Sequence, residues 1–321
     1  MAEPPRSLPE LEARCPDDAA CARWLVAKRW PDGFRCPACG HDKAWELGRE
    51  RPTLQCAACE RQGSVTAGTV LHGSHLGLRT WFLAAWLMAT HSNGISARQL
   101  WRQLWRQLWR QLWRQLWRQL GLGSYKSAWL LVRKLRRAMV DPDREPLAGL
   151  VEVDETSIPF RGKDGPIAAK PGRSHEGKLL IAGAVEIVGK GPGRVRLAVI
   201  ADYSAATLAG FVAASVAPGS TVVSDGWSGY RDLKDVKHEP TVIGETPAHL
   251  VLPWVHRVFA NAKRWGLGVY HGLRRRHLQG YLDEFVFRFN RRRTPAAAFE
   301  RLLGLAVALE PASYQILTSR S

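Results

Sequence analysis

Leu150-Val-Glu-Val-Asp-Glu-Thr156 and Ser220-Thr-Val-Val-Ser-Asp-Gly-Trp227 decide how this chain folds. The first alternates apolar and polar residues as a strand does and delivers Asp154 near its end. The second is a short β-branched run that ends in Asp225 and a glycine turn. A third stretch, His256-Arg-Val-Phe-Ala-Asn-Ala-Lys263, reads as helix, and a seven-residue step puts His256 and Lys263 on one face of it. Taken singly, either aspartate is an ordinary strand-end residue. Two carboxylates at two strand ends, followed by a polar residue on a helix, suit two divalent ions that clamp the attacking and leaving oxygens of a phosphodiester. Mg²⁺ is a hard ion that prefers such oxygen ligands. A neutral imidazole at His256 adds a ligand, and Lys263 adds a phosphate contact.

Around these stretches the pattern is of strands: 150–158, 178–188 and 194–202, the last two joined by a hairpin turn at Gly189-Lys-Gly-Pro-Gly193. A helix from Ser204 to Val216, capped by Ser204, leads into the strand of Asp225. Three strands, a crossover helix and a further strand predict a mixed sheet with helices on its faces. Gly162 to Gly177 is polar, basic and glycine-rich, and reads as a loop beside the site. Leu278 to Arg293 reads as an aromatic helix burying Tyr281, Phe285 and Phe289 against the sheet. Glu284 within it reads as holding the helix in place. A C-terminal helix is expected over 295–309.

Upstream, Cys36-Pro-Ala-Cys39 and Cys56-Ala-Ala-Cys59 are two CxxC knuckles sixteen residues apart. Four thiolates at this spacing predict a closed tetrahedral Zn²⁺ site, with short strands between them as in a zinc ribbon. A redox CxxC would not occur twice in this register. Cys15 and Cys21 have no partner at ligand spacing and read as structural or free thiols. Leu78 to Thr90 predicts a core helix. A second helix opens with Ser96 as N-cap and runs into five copies of Trp-Arg-Gln-Leu, Trp101 to Leu120. After Gly121 comes a basic helix over about 124–139, so the pair has the helix-turn-helix pattern, with Lys126, Arg133, Lys134, Arg136 and Arg137 as DNA contacts. The tetrapeptide period turns each Trp about 40° past the last, so the five tryptophans cannot share one buried stripe. An identical tandem unit reads as replication slippage, and it predicts an over-long, Trp-rich helix with an aggregation risk.

Of the net charge of +17, most is concentrated. Residues 98–144 hold twelve Lys/Arg against two Asp, and residues 251–321 hold twelve against four acidic residues. Two basic regions on a near-neutral remainder suggest a polyanion partner, most simply nucleic acid. No apolar run approaches the length of a membrane span, and Met1-Ala-Glu-Pro-Pro-Arg lacks the pattern of a secretory signal, so a cytoplasmic protein is expected. The organisation expected is a helical lead-in (1–30), a zinc ribbon (31–66), a helical DNA-binding region (67–140), a linker (141–149), a sheet domain (150–293) and a C-terminal helix and tail (294–321). In fold class this is an α+β/α/β multidomain chain.

CPACG…CAAC, NGISARQL, GLGSYKSAWLLVRKLRRAM, VEVDET, SDGW, LPWVHRVFANAKRW and HLQGYLDEFVFRFNRR together resemble bacterial insertion-sequence transposases of the ISXO-like group. The resemblance runs from about Trp24 to Arg293. It implies an RNase H-like catalytic fold, two Mg²⁺ or Mn²⁺ ions, and cleavage and joining of DNA strands at element ends by a homo-oligomer on DNA. By position, Asp154 and Asp225 match the first two acids, His256 stands where many relatives have glutamate or asparagine, and Lys263 matches the lysine seven residues later. Lys263 and Arg264 are then DNA contacts. The tandem repeat departs from the family pattern inside the DNA-binding hairpin. The rival reading is a non-catalytic zinc-ribbon/helix-turn-helix regulator, for which both aspartates would be dispensable.

Overall fold

The structure, a computed structural model, describes residues 3–47, 53–91, 94–111, 125–159, 176–241, 248–270 and 273–318. The glycine-rich loop and the later copies of the repeat lie outside the described residues. The chain divides into two compact units, one of residues 1–141 with 293–320 and one of residues 142–292.

The first unit opens with α1 (Leu8–Arg14) and α2 (Asp18–Arg29), whose N-caps Ser7 and Asp17 accept from the backbone N–H of Glu10 and Ala20. A three-stranded antiparallel ribbon follows, β1 (Ala44–Leu47), β2 (Thr53–Cys56) and β3 (Gln62–Ser64). α3 (Leu78–Thr90) has ten of its thirteen residues buried, so it is the helix around which the others pack. α4 (Ala97–Gln111) buries Leu100 and Leu104 and enters the repeat as an unbroken helix. α5 (Tyr125–Ala138) buries Ala128, Leu131, Val132 and Leu135, one stripe at helical spacing.

The second unit is a five-stranded mixed sheet with helices on both faces, as the RNase H-like reading expects. β4 (Leu150–Pro159), β5 (Lys178–Val188) and β6 (Gly191–Ile200) form an antiparallel meander. α6 (Ala205–Ser215), with Ser204 as its N-cap, then carries the chain back to β7 (Thr221–Ser224), which pairs parallel to β4. β8 (Lys237–Pro240) pairs parallel to β7, giving the order β6-β5-β4-β7-β8. After the short helix α7 (Ala248–Val251) come α8 (Pro253–Tyr270) and α9 (Leu278–Asn290). Val151, Val153, Ala182 and Val222 pack with Leu208 and Phe211 of α6 on one face. Ile158, Ile181 and Leu197 pack with Val255, Phe259, Leu282 and Phe285 of α8 and α9 on the other.

Three features were not expected. β6 begins at Gly191, because Val188 pairs with Gly191 and only Gly189 and Lys190 turn the hairpin; Gly189 supplies the left-handed backbone, φ +60°. β8 has no apolar run to announce it. The last helices, α10 (Pro295–Ala308) and α11 (Tyr314–Thr318), belong to the first unit: Phe299 of α10 stacks edge-on against Trp24 and Trp86, at 5.9 and 5.2 Å between ring centroids.

Candidate active site and metal centre

β4 deals its side chains alternately to the two faces, and those that face α8 are Glu152, Asp154, Thr156 and Ile158. Three of them meet α8 through polar contacts. Glu152 Oε2 accepts from the backbone N–H of Trp254 and Val255, at 2.9 and 2.8 Å. Asp154 Oδ2 lies 3.2 Å from His256 Nε2. Thr156 Oγ1 accepts from Lys263 Nζ at 2.7 Å. Strand and helix run in step: the four strand steps from Glu152 to Thr156 advance about 13 Å, and the eight helical steps from Val255 to Lys263 advance about 12 Å. The 2-residue period of β4 and the 3.6-residue period of α8 therefore bring successive polar pairs together along one seam.

Glu152 is the foundation of that seam. It takes the place of a cap residue, satisfying N–H groups that the first turn of α8 cannot pair internally. Burial pushes its carboxyl above the usual range, opposed by the N–H groups of Val255 and Trp254. Sequence reasoning missed this residue, since its partners stand about a hundred positions away.

β4 and β7 pair Leu150 with Thr221 and Glu152 with Val223, where their ladder ends. Asp154 is therefore the fifth residue of the ten in β4, inside the strand rather than at its end as expected, while Asp225 directly follows β7; continuing the register by two residues would carry each toward the level of the other. Asp225 Oδ1 accepts from Trp227 N at 3.0 Å, and Gly226 takes φ +78° to make the turn. Behind this turn Tyr230, fully buried, donates to Glu155 Oε2 at 2.7 Å. Burial raises the phenol's pKa, and the charge and hydrogen bond of Glu155 and the charges of Asp154 and Asp225 raise it further.

Lys263 is half-buried. Burial lowers its pKa while the Asp154 charge opposes the change. On the outer face of α8, Arg257 and Arg264 are exposed, seven residues apart, and Arg257 lies over the Trp254 ring at 4.7 Å. Arg257 went unread in the sequence, although it precedes Arg264 by the same step that relates His256 to Lys263. Glu284 is fully buried and accepts from Tyr270 of α8 at 3.1 Å, so it braces α9 against α8.

The basic side chains of α5 divide. Lys126 is exposed beside the Tyr314 ring. Arg133 donates to the Leu317 carbonyl at 2.6 Å, Lys134 donates to the His72 carbonyl at 3.1 Å, Arg136 is buried and Arg137 is half-buried. Several of these cations thus have work inside the unit.

In the ribbon, Cys36, Cys39, Cys56 and Cys59 bring their sulfurs within 4.8 Å of one another. The Cys36–Cys59 and Cys39–Cys56 sulfurs are 3.6 Å apart, close to the ~3.8 Å edge of a tetrahedron with 2.3 Å zinc–sulfur bonds. The N–H groups of Ala38 and Cys39 hold the Cys36 thiol down at about 6. The donor set and its geometry fit a structural Zn²⁺. Cys15 and Cys21, both buried, also meet: contact with Cys15 and then burial push the Cys21 thiol up.

Among the described residues the four cysteines are the one group of three or more His, Cys, Asp or Glu side chains gathered that closely. Asp154, Asp225 and His256 stand wider. Two carboxylates repel, and Asp225 is turned toward Trp227 N. Their chemistry, two carboxylates and an imidazole, fits Mg²⁺ or Mn²⁺.

Residues 146–290 match the family described as the ISXO2-like transposase domain, and residues 16–62 match the transposase zinc-ribbon domain. The chain is also 30% identical over 155 residues to an uncharacterized protein in transposable element ISH50 of Halobacterium salinarum. That match covers 48% of this chain and 46% of the relative, so the chain spans under half of the relative's length. No helix among the described residues is long and apolar enough to cross a membrane. The ribbon and the sheet domain are thus similar, in this order, to the transposase zinc-ribbon domain and the ISXO2-like transposase domain.

Proposed function

We propose that this chain cleaves DNA strands at the ends of an insertion sequence and joins the freed ends to target DNA. The observation that supports the reading is the seam of β4 with α8, which sets Asp154 against His256, on a strand whose parallel neighbour β7 runs directly into Asp225. Asp154, Asp225 and His256 would hold two Mg²⁺ or Mn²⁺ ions, with His256 completing one coordination shell. When bound, such ions lower the pKa of a water for strand cleavage, activate a 3′-hydroxyl for joining, and neutralise charge at the phosphate. Asp154 is fixed for this task on one oxygen by the Glu155 N–H, at 2.7 Å, leaving Oδ2 toward His256. Lys263, held by Thr156, presents a cation to a phosphate beside the carboxylates. Arg264 and the exposed Lys126 of α5 contact the DNA backbone, and a second copy supplies the other element end.

The test uses DNA carrying the terminal repeats that bracket the gene, with Mg²⁺ or Mn²⁺. The intact chain is expected to cleave and join. Asp154→Asn and Asp225→Asn are each expected to lose about 10³-fold or more in cleavage rate while binding the ends as before. Cleavage unchanged in both variants would sink the assignment of the two aspartates, and end binding with no cleavage even by the intact chain would favour a DNA-binding regulator. Cleavage without any joined product would leave a nuclease.

A further inference from the structure

We propose that Tyr230 is a positioning residue that ties the turn of Asp225 to the strand of Asp154 through Glu155, and so sets how far apart the two aspartates stand. This rests on the reading of both aspartates as metal ligands. Glu155 faces both ways: its backbone N–H donates to Asp154 Oδ1 at 2.7 Å, and its side chain accepts from the Tyr230 hydroxyl at 2.7 Å. Tyr230 in turn ends the segment that Asp225 begins. Within that segment Ser224 Oγ accepts from Gly226 N at 3.3 Å, Asp225 Oδ1 accepts from Trp227 N at 3.0 Å, and Trp227 O accepts from Tyr230 N at 3.0 Å. Gly229 has no space for a side chain, because a Cβ there would meet Leu208 Cδ1 at 2.8 Å and Trp227 Nε1 at 2.9 Å. The ring of Tyr230 is locked in the core under α6. A rigid path of hydrogen bonds therefore runs from one aspartate to the other through Glu155 and Tyr230.

The probe is Mn²⁺ alone, measured by titration calorimetry on the full chain, with thermal melting of the metal-free protein as control. Tyr230→Phe keeps the ring and removes the hydroxyl, and is expected to weaken Mn²⁺ binding about tenfold, as loss of one hydrogen bond to a charged acceptor would. Glu155→Ala should weaken it to a similar degree, and the double variant no further, since both cut one path. Glu155→Gln, which keeps an acceptor oxygen, should bind several-fold better than Glu155→Ala. Wild-type affinity in Tyr230→Phe, additive losses in the double variant, or equal losses in Glu155→Gln and Glu155→Ala would each overturn the inference. If Tyr230→Phe does not fold, the comparison of Glu155→Ala with Glu155→Gln decides alone. Asp154→Asn binding Mn²⁺ as tightly as wild type would instead overturn the ligand assignment, and this inference with it.

Discussion

Asp154 owes its usefulness to its neighbours two positions either side. On one face of β4, Glu152 holds the start of α8 and Thr156 holds Lys263, so the helix that carries His256 is fixed at both ends of the contact. Elsewhere in the same sheet a carboxylate serves stability alone. Glu186 accepts from Arg194 at 2.7 and 3.0 Å and from the Ala148 N–H at 3.1 Å. The Arg194 hydrogen bond, opposed by burial and helped by the Ala148 N–H, brings its carboxyl down to about 2. A carboxyl depressed on folding stabilises above its unfolded pKa, and that contribution fades as pH falls from the ordinary carboxylate range toward 2. Glu186→Gln should cost roughly 1–3 kcal/mol at pH 7 and much less near pH 2.5; a cost independent of pH in melting experiments would contradict this. At this scale the sequence shows residue types and strand alternation, and hence Asp154 and Asp225. It does not show Glu152 or Tyr230 at work, because their partners are distant in the chain and their types are ordinary for a strand and a core.

Between elements, the close approach of α8 to the sheet depends on one missing side chain. Gly183 of β5 pairs with Asp154, and a Cβ there would stand 2.5 Å from Phe259 of α8. Phe259 lies between His256 and Lys263 on that helix. Gly183→Ala should therefore push α8 outward, costing about 1–3 kcal/mol and weakening cleavage more than DNA binding. Normal cleavage by a stably folded Gly183→Ala chain would show that the spacing is not critical. The outer edge of β6 is closed by two amides of α9. Asn290 exchanges hydrogen bonds with Val195, and Gln279 bridges the Val199 N–H and the Leu197 carbonyl. α3, α6 and β5 were legible to their ends because each is an apolar run: α3 buries ten of its thirteen residues, β5 buries eight in succession, and α6 buries a stripe behind the Ser204 cap. β8, Lys-His-Glu-Pro, was not legible, because a polar edge strand is held by ladder bonds to β7 rather than by burial of its own.

For the whole chain, sequence order and spatial grouping part company at Arg293. The C-terminal helices follow the sheet domain in sequence, yet they complete the helical unit around α3, with Phe299 meeting Trp24, Phe82 and Trp86. An apolar stripe predicts that a helix packs, not on what. The ribbon was legible outright, because four cysteines at fixed spacing leave little else to build. Its three short strands bury little apart from the thiols, so metal and fold should go together. A strong chelator should release one Zn²⁺ per chain and abolish amide protection in β1–β3 while β4 and β5 keep theirs; protection unchanged in the ribbon would contradict a structural metal. The central claim is that Asp154, Asp225 and His256 hold one metal centre, and the most direct test is electron paramagnetic resonance of Mn²⁺ bound to the intact chain. The account predicts a bound-ion spectrum with nitrogen coupling from an imidazole, lost in His256→Gln, and binding that collapses in Asp154→Asn and Asp225→Asn. Bound Mn²⁺ without nitrogen coupling, or binding indifferent to either aspartate, would contradict it.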